Sequence, residues 1–175
     1  MTKQELTECI DRYGRDLYAF CRHLTGSIQE ADELYQDTWL KTVELSERID
    51  AGGNVKSYCL SVALKLWNNR RRKYAWRRRI AGVREDLDRD GMGEIPDKGR
   101  GPEECLLAKD RDRQVRRAVC ELPDRLKAVV LLFYMEGFSV AQTAEAAGIS
   151  EGTVKSRLHQ ARKLLREKLE GVLNE

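Results

Sequence analysis

At 175 residues, 35% charged and 41% hydrophobic with three prolines, the chain has room for one medium or two small domains and suits a soluble, helix-rich protein. That balance excludes a disordered or membrane-embedded chain. The net charge of +3 hides two opposed patches: residues 65–79 hold eight basic side chains and no acidic one, residues 28–50 seven acidic and two basic.

No apolar run approaches the roughly 18 residues of a membrane span. Residues 1–11 are polar with no signal-peptide core, so a cytoplasmic location without direct membrane insertion is expected. The five cysteines (Cys9, Cys21, Cys59, Cys105, Cys120) are odd in number and widely spaced, with no CxxC pair and only two histidines, His23 and His159. They read as small buried hydrophobes rather than a metal site or a disulfide framework.

Along the chain, Ile10, Tyr13, Leu17, Phe20, Cys21 and Leu24 recur at helical spacing and predict a first helix that ends near Gly26. Ser27 opens a second, with Ala31, Leu34, Tyr35, Thr38, Trp39 and Val43 on one face and Glu30, Asp32, Glu33, Gln36 and Asp37 largely outside it. After a loop at Gly52, Gly53 and Asn54, the residues Val55, Tyr58, Val62, Ala63, Leu66 and Trp67 mark a third helix that runs into a basic stretch. Three such helices can share one small core.

That stretch, Asn68, Asn69, Arg70, Arg71, Arg72, Lys73, Tyr74, Ala75, Trp76, Arg77, Arg78 and Arg79, interleaves cations with two aromatic rings. Cations neutralise phosphates and rings stack on unpaired bases, so nucleic acid is the expected ligand. Trp67 fits either the core or a stacking role. The acidic face of the second helix fits either plain solvation or a basic protein partner, because it would repel phosphate.

Residues 81–112 change character, with glycines, Pro96, Pro102 and ten acidic residues between positions 84 and 112, and read as a flexible acidic linker. Helical periodicity resumes at about Cys105 and is broken by Pro123. Leu126, Val129, Val130, Leu132, Phe133 and Met135 then predict a helix ended by Gly137. Ser139 caps a short helix with inward Val140, Thr143, Ala144 and Ala147. Gly148 supplies a turn, Ile149 a plug, and Ser150 the cap of a last helix with Val154, Leu158, Ala161 and Leu165 as its buried stripe. The other side of that helix carries Glu151, Thr153, Lys155, Ser156, Arg157, His159, Gln160, Arg162 and Lys163, a mixture of phosphate neutralisers and groups able to bond base edges. Such a helix-turn-helix fits a major groove. The expected fold is all-α: two small helical domains, 1–80 and 113–175, joined by the linker at 81–112.

These segments resemble the extracytoplasmic-function (ECF) sigma factors, the minimal two-domain branch of bacterial sigma factors. EADELYQDTWL at 30–40 is similar to the family's clamp-binding helix, SYCLSVALKLWNNRRR at 57–72 to its promoter-melting segment, and 122–169, with GISEGTVKSRLHQAR, to region 4. The resemblance implies that Asp32, Glu33, Gln36 and Asp37 dock on the β′ clamp of core RNA polymerase. It implies that Lys65, Asn68, Asn69, Arg70, Arg71, Arg72, Lys73 and Trp76 contact the minus-10 element, and that the last helix reads the minus-35 element while its domain rests on the β flap. It also implies an anti-sigma partner. The chain departs from the family at Gln160, commonly arginine, where the amide is able to pair with adenine, and at Lys65, often asparagine. No glycine-rich phosphate loop, metal-ligand set or nucleophile–base pair stands out, so no enzyme, metal or cofactor is expected. A stand-alone helix-turn-helix regulator would leave the acidic helix and arginine run unexplained, and a helical RNA-binding protein would leave the C-terminal motif unexplained.

Overall fold

The computed structural model describes residues 2–49, 52–81 and 102–173, and every regular element among the described residues is helical. The chain divides into two units, Met1–Met92 and Gly93–Glu175.

In the first unit α1 (Lys3–Thr25) begins with a capping box: the Glu5 amide donates to Thr2 Oγ1 at 3.3 Å and the Thr2 amide to Glu5 Oε2 at 2.6 Å. It ends at Gly26, whose φ of 72° is open to glycine without steric cost. Ser27 accepts from the Glu30 amide and so starts α2 (Ile28–Glu44) immediately, which turns the chain sharply between the two helices. A short 3-10 turn, Ser46–Arg48, precedes α3 (Val55–Ala81). Leu17, Phe20, Cys21 and Leu24 of α1 are buried, as are Ala31, Leu34, Trp39 of α2 and Cys59, Leu60, Ala63, Leu64 and Trp67 of α3. Burying a large apolar side chain of this kind stabilises by roughly 1.5–3 kcal/mol, and these side chains form the shared core of the three helices.

Two apolar positions expected to face inward do not: Ile10 is 36% and Val43 45% exposed, and Thr42, next to Val43, is fully buried instead. Thr42 can be buried because its hydroxyl donates to the Thr38 carbonyl at 2.8 Å, as Thr38 does to Leu34 at 2.6 Å, so neither polar atom is stranded. The α1–α2 contact also depends on Gly14: a Cβ there would lie 2.9 Å from the Tyr35 hydroxyl. That ring is held edge-on between Tyr18 and Trp39, at 5.5 and 6.2 Å between centroids.

The second unit comprises α4 (Pro102–Cys120), α5 (Asp124–Val130), a π-helical turn (Leu131–Met135), α6 (Val140–Ala147) and α7 (Glu151–Leu173). The linker expected at 81–112 falls mostly outside the described residues; α4 begins at Pro102, three residues before the helical periodicity expected to resume at Cys105. A proline's fixed φ suits the first turn of a helix, which is where it stands. Leu122, Leu126, Val130 and Ala161 form one core cluster with Val119, Leu164 and Leu165 against it; Val129, Ala144, Val154 and Leu158 form another, packed by Phe133, Val140 and Ile149. The π turn also moves Met135 out of the apolar stripe expected for it. Glu136 donates to the Leu131 carbonyl, five residues back, and the wider turn leaves Met135 37% and Tyr134 55% exposed. Gly137, at φ 70°, then ends the segment.

Gly148 joins α6 to α7 at φ 66°, and a Cβ there would meet nothing within 4 Å. Gly148→Ala therefore carries backbone strain alone. A loss of about 1–2 kcal/mol is expected, read as a lower urea midpoint with an unchanged slope.

Candidate nucleic-acid interface

Local capping geometry sets the direction of α7. The Gln142 amide donates to Ser139 Oγ at 3.1 Å and the Ser139 amide to Gln142 Oε1 at 2.9 Å, which fixes the start of α6. After Gly148, the Ile149 amide closes back on the Ala144 carbonyl at 3.0 Å. Ser150 Oγ then accepts from the Thr153 amide at 3.2 Å and lies 2.8 Å from Thr153 Oγ1. Val154, Leu158 and Ala161 are 0–2% exposed, so the rotation of α7 about its own axis is fixed by packing. Glu151, Lys155, Ser156, His159, Gln160, Arg162 and Lys163 consequently face solvent, with Thr153 and Arg157 half-buried at the flank. All nine expected groups thus share one helix, though Thr153 is partly committed to the cap. Arg162 is engaged as well: its Nε donates to the Tyr134 hydroxyl at 2.8 Å.

In the first unit, α3 passes from core to surface without a break. Trp67 is 4% exposed, which resolves its role in favour of the core. Arg71 lies over its ring at 5.6 Å from the centroid. Beyond it Asn68, Asn69, Arg72, Lys73 and Trp76 are exposed, as is Lys65 one turn earlier, while Arg70 and Arg71 are half-buried. Trp76 is 64% exposed and borders an open cleft with Leu66, Asn69, Arg70, Arg72 and Lys73, with Asp37 of α2 at its edge. A ring presented beside cations in this way is free to stack on a flat ligand.

Arg70 turns back onto α2. Its Nη1 lies 3.5 Å from Glu33 Oε2 and its Nη2 2.5 Å from Asp37 Oδ2, so it bridges two carboxylates of α2. Both are more than half exposed and the guanidinium about one third; pairs this open are worth at most about 1 kcal/mol each. The basic arm and the acidic face are therefore adjacent surfaces that meet at Arg70.

Asp32, Glu33, Gln36 and Asp37 are all exposed on α2. Asp32 accepts from the Tyr18 hydroxyl at 2.7 Å. That bond, helped by burial, pushes the Tyr18 phenol above its usual range. Sequence reasoning missed the apolar part of this face. Leu40 is 61% and Val43 45% exposed, and both fall among the carboxylates on a helical wheel, a signal that assigning Val43 to the core concealed. Cys21 and Cys59 are buried as expected, and burial pushes their thiols up to about 12 and about 11; Cys9 and Cys120 are half-buried. Among the described residues no helix is long and apolar enough to cross a membrane.

Comparison with known proteins adds to this geometry. The family described as Sigma-70 region 2 matches residues 9–77, and Sigma-70, region 4 matches residues 112–165. The ECF RNA polymerase sigma factor SigW of Bacillus subtilis is 25% identical across 93% of this chain and 87% of its own. SigL of Mycobacterium tuberculosis is 31% identical across 89% of this chain and 84% of its own. In fold, the chain is similar to the sigma factor RpoE of Bartonella quintana, solved with the anti-sigma factor NepR, at a TM-score of 0.75, 22% identity and coverage of 94% and 96%. It is also similar to CnrH, solved with the cytosolic domain of CnrY, at a TM-score of 0.66, 17% identity and coverage of 97% and 90%. Both sigma regions occur in order along the two units, the second with its helix-turn-helix, and a 31% identical relative spans most of both chains: this protein belongs to the ECF RNA polymerase sigma factors.

Proposed function

We propose that the protein binds core RNA polymerase through the acidic face of α2, contacts the minus-10 element with the exposed part of α3, reads the minus-35 element with α7, and promotes duplex opening. One observation carries the reading. α2 and α3 pack against each other yet keep outward surfaces of opposite charge, so a single small unit offers one face to a basic protein and the other to phosphate. The exposed face of α7 supplies a second, base-reading contact, with Lys155, His159 and Gln160 among the groups able to reach a groove. The β′ clamp is the partner proposed for α2 and the β flap for the second unit, in the cytoplasm where transcription proceeds. The relatives of similar fold were solved with an anti-sigma factor, NepR, and with the cytosolic domain of CnrY, which supports a regulator of the same kind here. The proposed role asks for no catalytic group or cofactor of its own, since positioning and strand separation are binding work.

Assembly with core RNA polymerase followed by run-off transcription tests the reading. The chain is expected to co-purify with core enzyme and to support initiation from a promoter subset; failure of both overturns it. Charge reversal at Glu33 and Asp37 together is expected to weaken core binding, with α7-dependent duplex binding retained. Lys155→Ala should weaken minus-35 binding by roughly 1–3 kcal/mol. The bridge at Arg70 yields a sharper test by titrating salt against affinity. Arg72→Ala is expected to lower the salt slope of DNA binding by about one contact, whereas Arg70→Ala, already satisfied by two carboxylates, should lower it by less. Equal slopes for the two variants would show that the bridge opens when DNA binds.

A further inference from the structure

We propose that Tyr134 and Arg162 form a composite phosphate-binding pair at the flank of α7, with Tyr134, which lies outside the helix-turn-helix, as its positioning residue. The inference rests on the reading of α7 as the duplex-contacting helix and adds a residue to it. Tyr134, in the π turn that follows α5, is 55% exposed. Its ring is held at the surface, edge-on to Phe133 at 5.0 Å and 82°, and Phe133 is itself packed against the Val129–Leu158 cluster. The hydroxyl accepts the Arg162 Nε–H at 2.8 Å. A hydroxyl that accepts in this way keeps its own hydrogen to donate, and a guanidinium that has used one N–H keeps four. The pair thus keeps the phenol O–H, the guanidinium Nη–H groups and one positive charge side by side, a combination suited to a phosphodiester oxygen.

Its place along α7 agrees. Arg162 follows Lys155 by seven residues, two helical turns, so it shares that residue's flank about 10 Å further along the axis. When the start of such a helix lies in a major groove about 12 Å wide, two turns further on the same flank reaches the sugar–phosphate rim. An arginine there without Tyr134 would have to give up the freedom of a long side chain on binding; the phenol has already fixed it.

The test uses the full chain and the duplex that it selects from a randomised pool, with Kd measured across a salt series. Tyr134→Phe keeps the ring and its packing and is expected to raise Kd about three- to tenfold. Arg162→Gln should raise Kd and lower the salt slope by about one. The double variant should bind no more than about twofold worse than Arg162→Gln alone, because Tyr134 acts largely through the arginine. Wild-type binding by Tyr134→Phe, an unchanged slope in Arg162→Gln, or losses that simply add would each overturn the pair. Lys155→Ala, measured alongside, separates the two readings: if it weakens binding while Tyr134→Phe does not, only the pair is lost, and if neither has an effect, the duplex-contacting role of α7 falls and the pair with it.

Discussion

The burial of Trp67 is the constraint on which the first unit turns. It is the last core residue of α3; from Asn68 onward the side chains are at most half-buried. An isolated helix of the length that remains, residues 68–81, would be marginal in water, because the first turn costs more than its hydrogen bond returns. Here no new nucleus is required, since the arm continues a helix already held by Cys59, Leu60, Ala63, Leu64 and Trp67 against α1 and α2. The same packing fixes which way the arm points and which of its residues turn back to α2. Arg70, three residues past Trp67, meets Glu33 and Asp37 because of it, whereas Arg72 and Trp76 remain exposed beside the same cleft.

The second unit solves a similar problem with different means. Its outward face is on α7, and α7 is oriented from one end by Ser139, Gly148 and Ser150 and along its length by Val154, Leu158 and Ala161. A cap sets where a helix begins, whereas an apolar stripe sets how it is rotated. Both are needed for Lys155 and Gln160 to stand on the surface that a groove would meet. Gly148 matters to this because only its left-handed backbone lets α6 end and α7 start within so few residues.

Much of this was legible in the residues. Gly26 with Ser27, Ser139, and Gly148 with Ser150 are punctuation whose physics is local, so the corners fell where expected. The rotation of α7 was legible too, because spacings of four, three and four admit one buried side. What eluded the sequence is of two kinds. Local conformations that break the ordinary helical period, such as the π turn that exposes Met135, shift every residue after them without a distinctive composition. Partnerships across long separations leave no local trace at all: Gly14 beneath Tyr35, Arg70 with Asp37, and Arg162 with Tyr134 join positions that only the folded helices bring together. Thr42 belongs between the two, since a buried threonine is acceptable only where a carbonyl four residues back takes its proton.

The uninterrupted course of α3 also has a mechanical consequence. Past Arg70 the arm carries Arg71, Arg72, Lys73, Arg77, Arg78 and Arg79 on successive turns, and like charges three or four residues apart repel by roughly 0.2–0.5 kcal/mol a pair. Glu33 and Asp37 relieve this where they meet Arg70 at the base of the arm. That repulsion works against the outer turns of the helix. An anion laid beside them would offset it, so a ligand of that charge would favour the helical form of the arm over a frayed one.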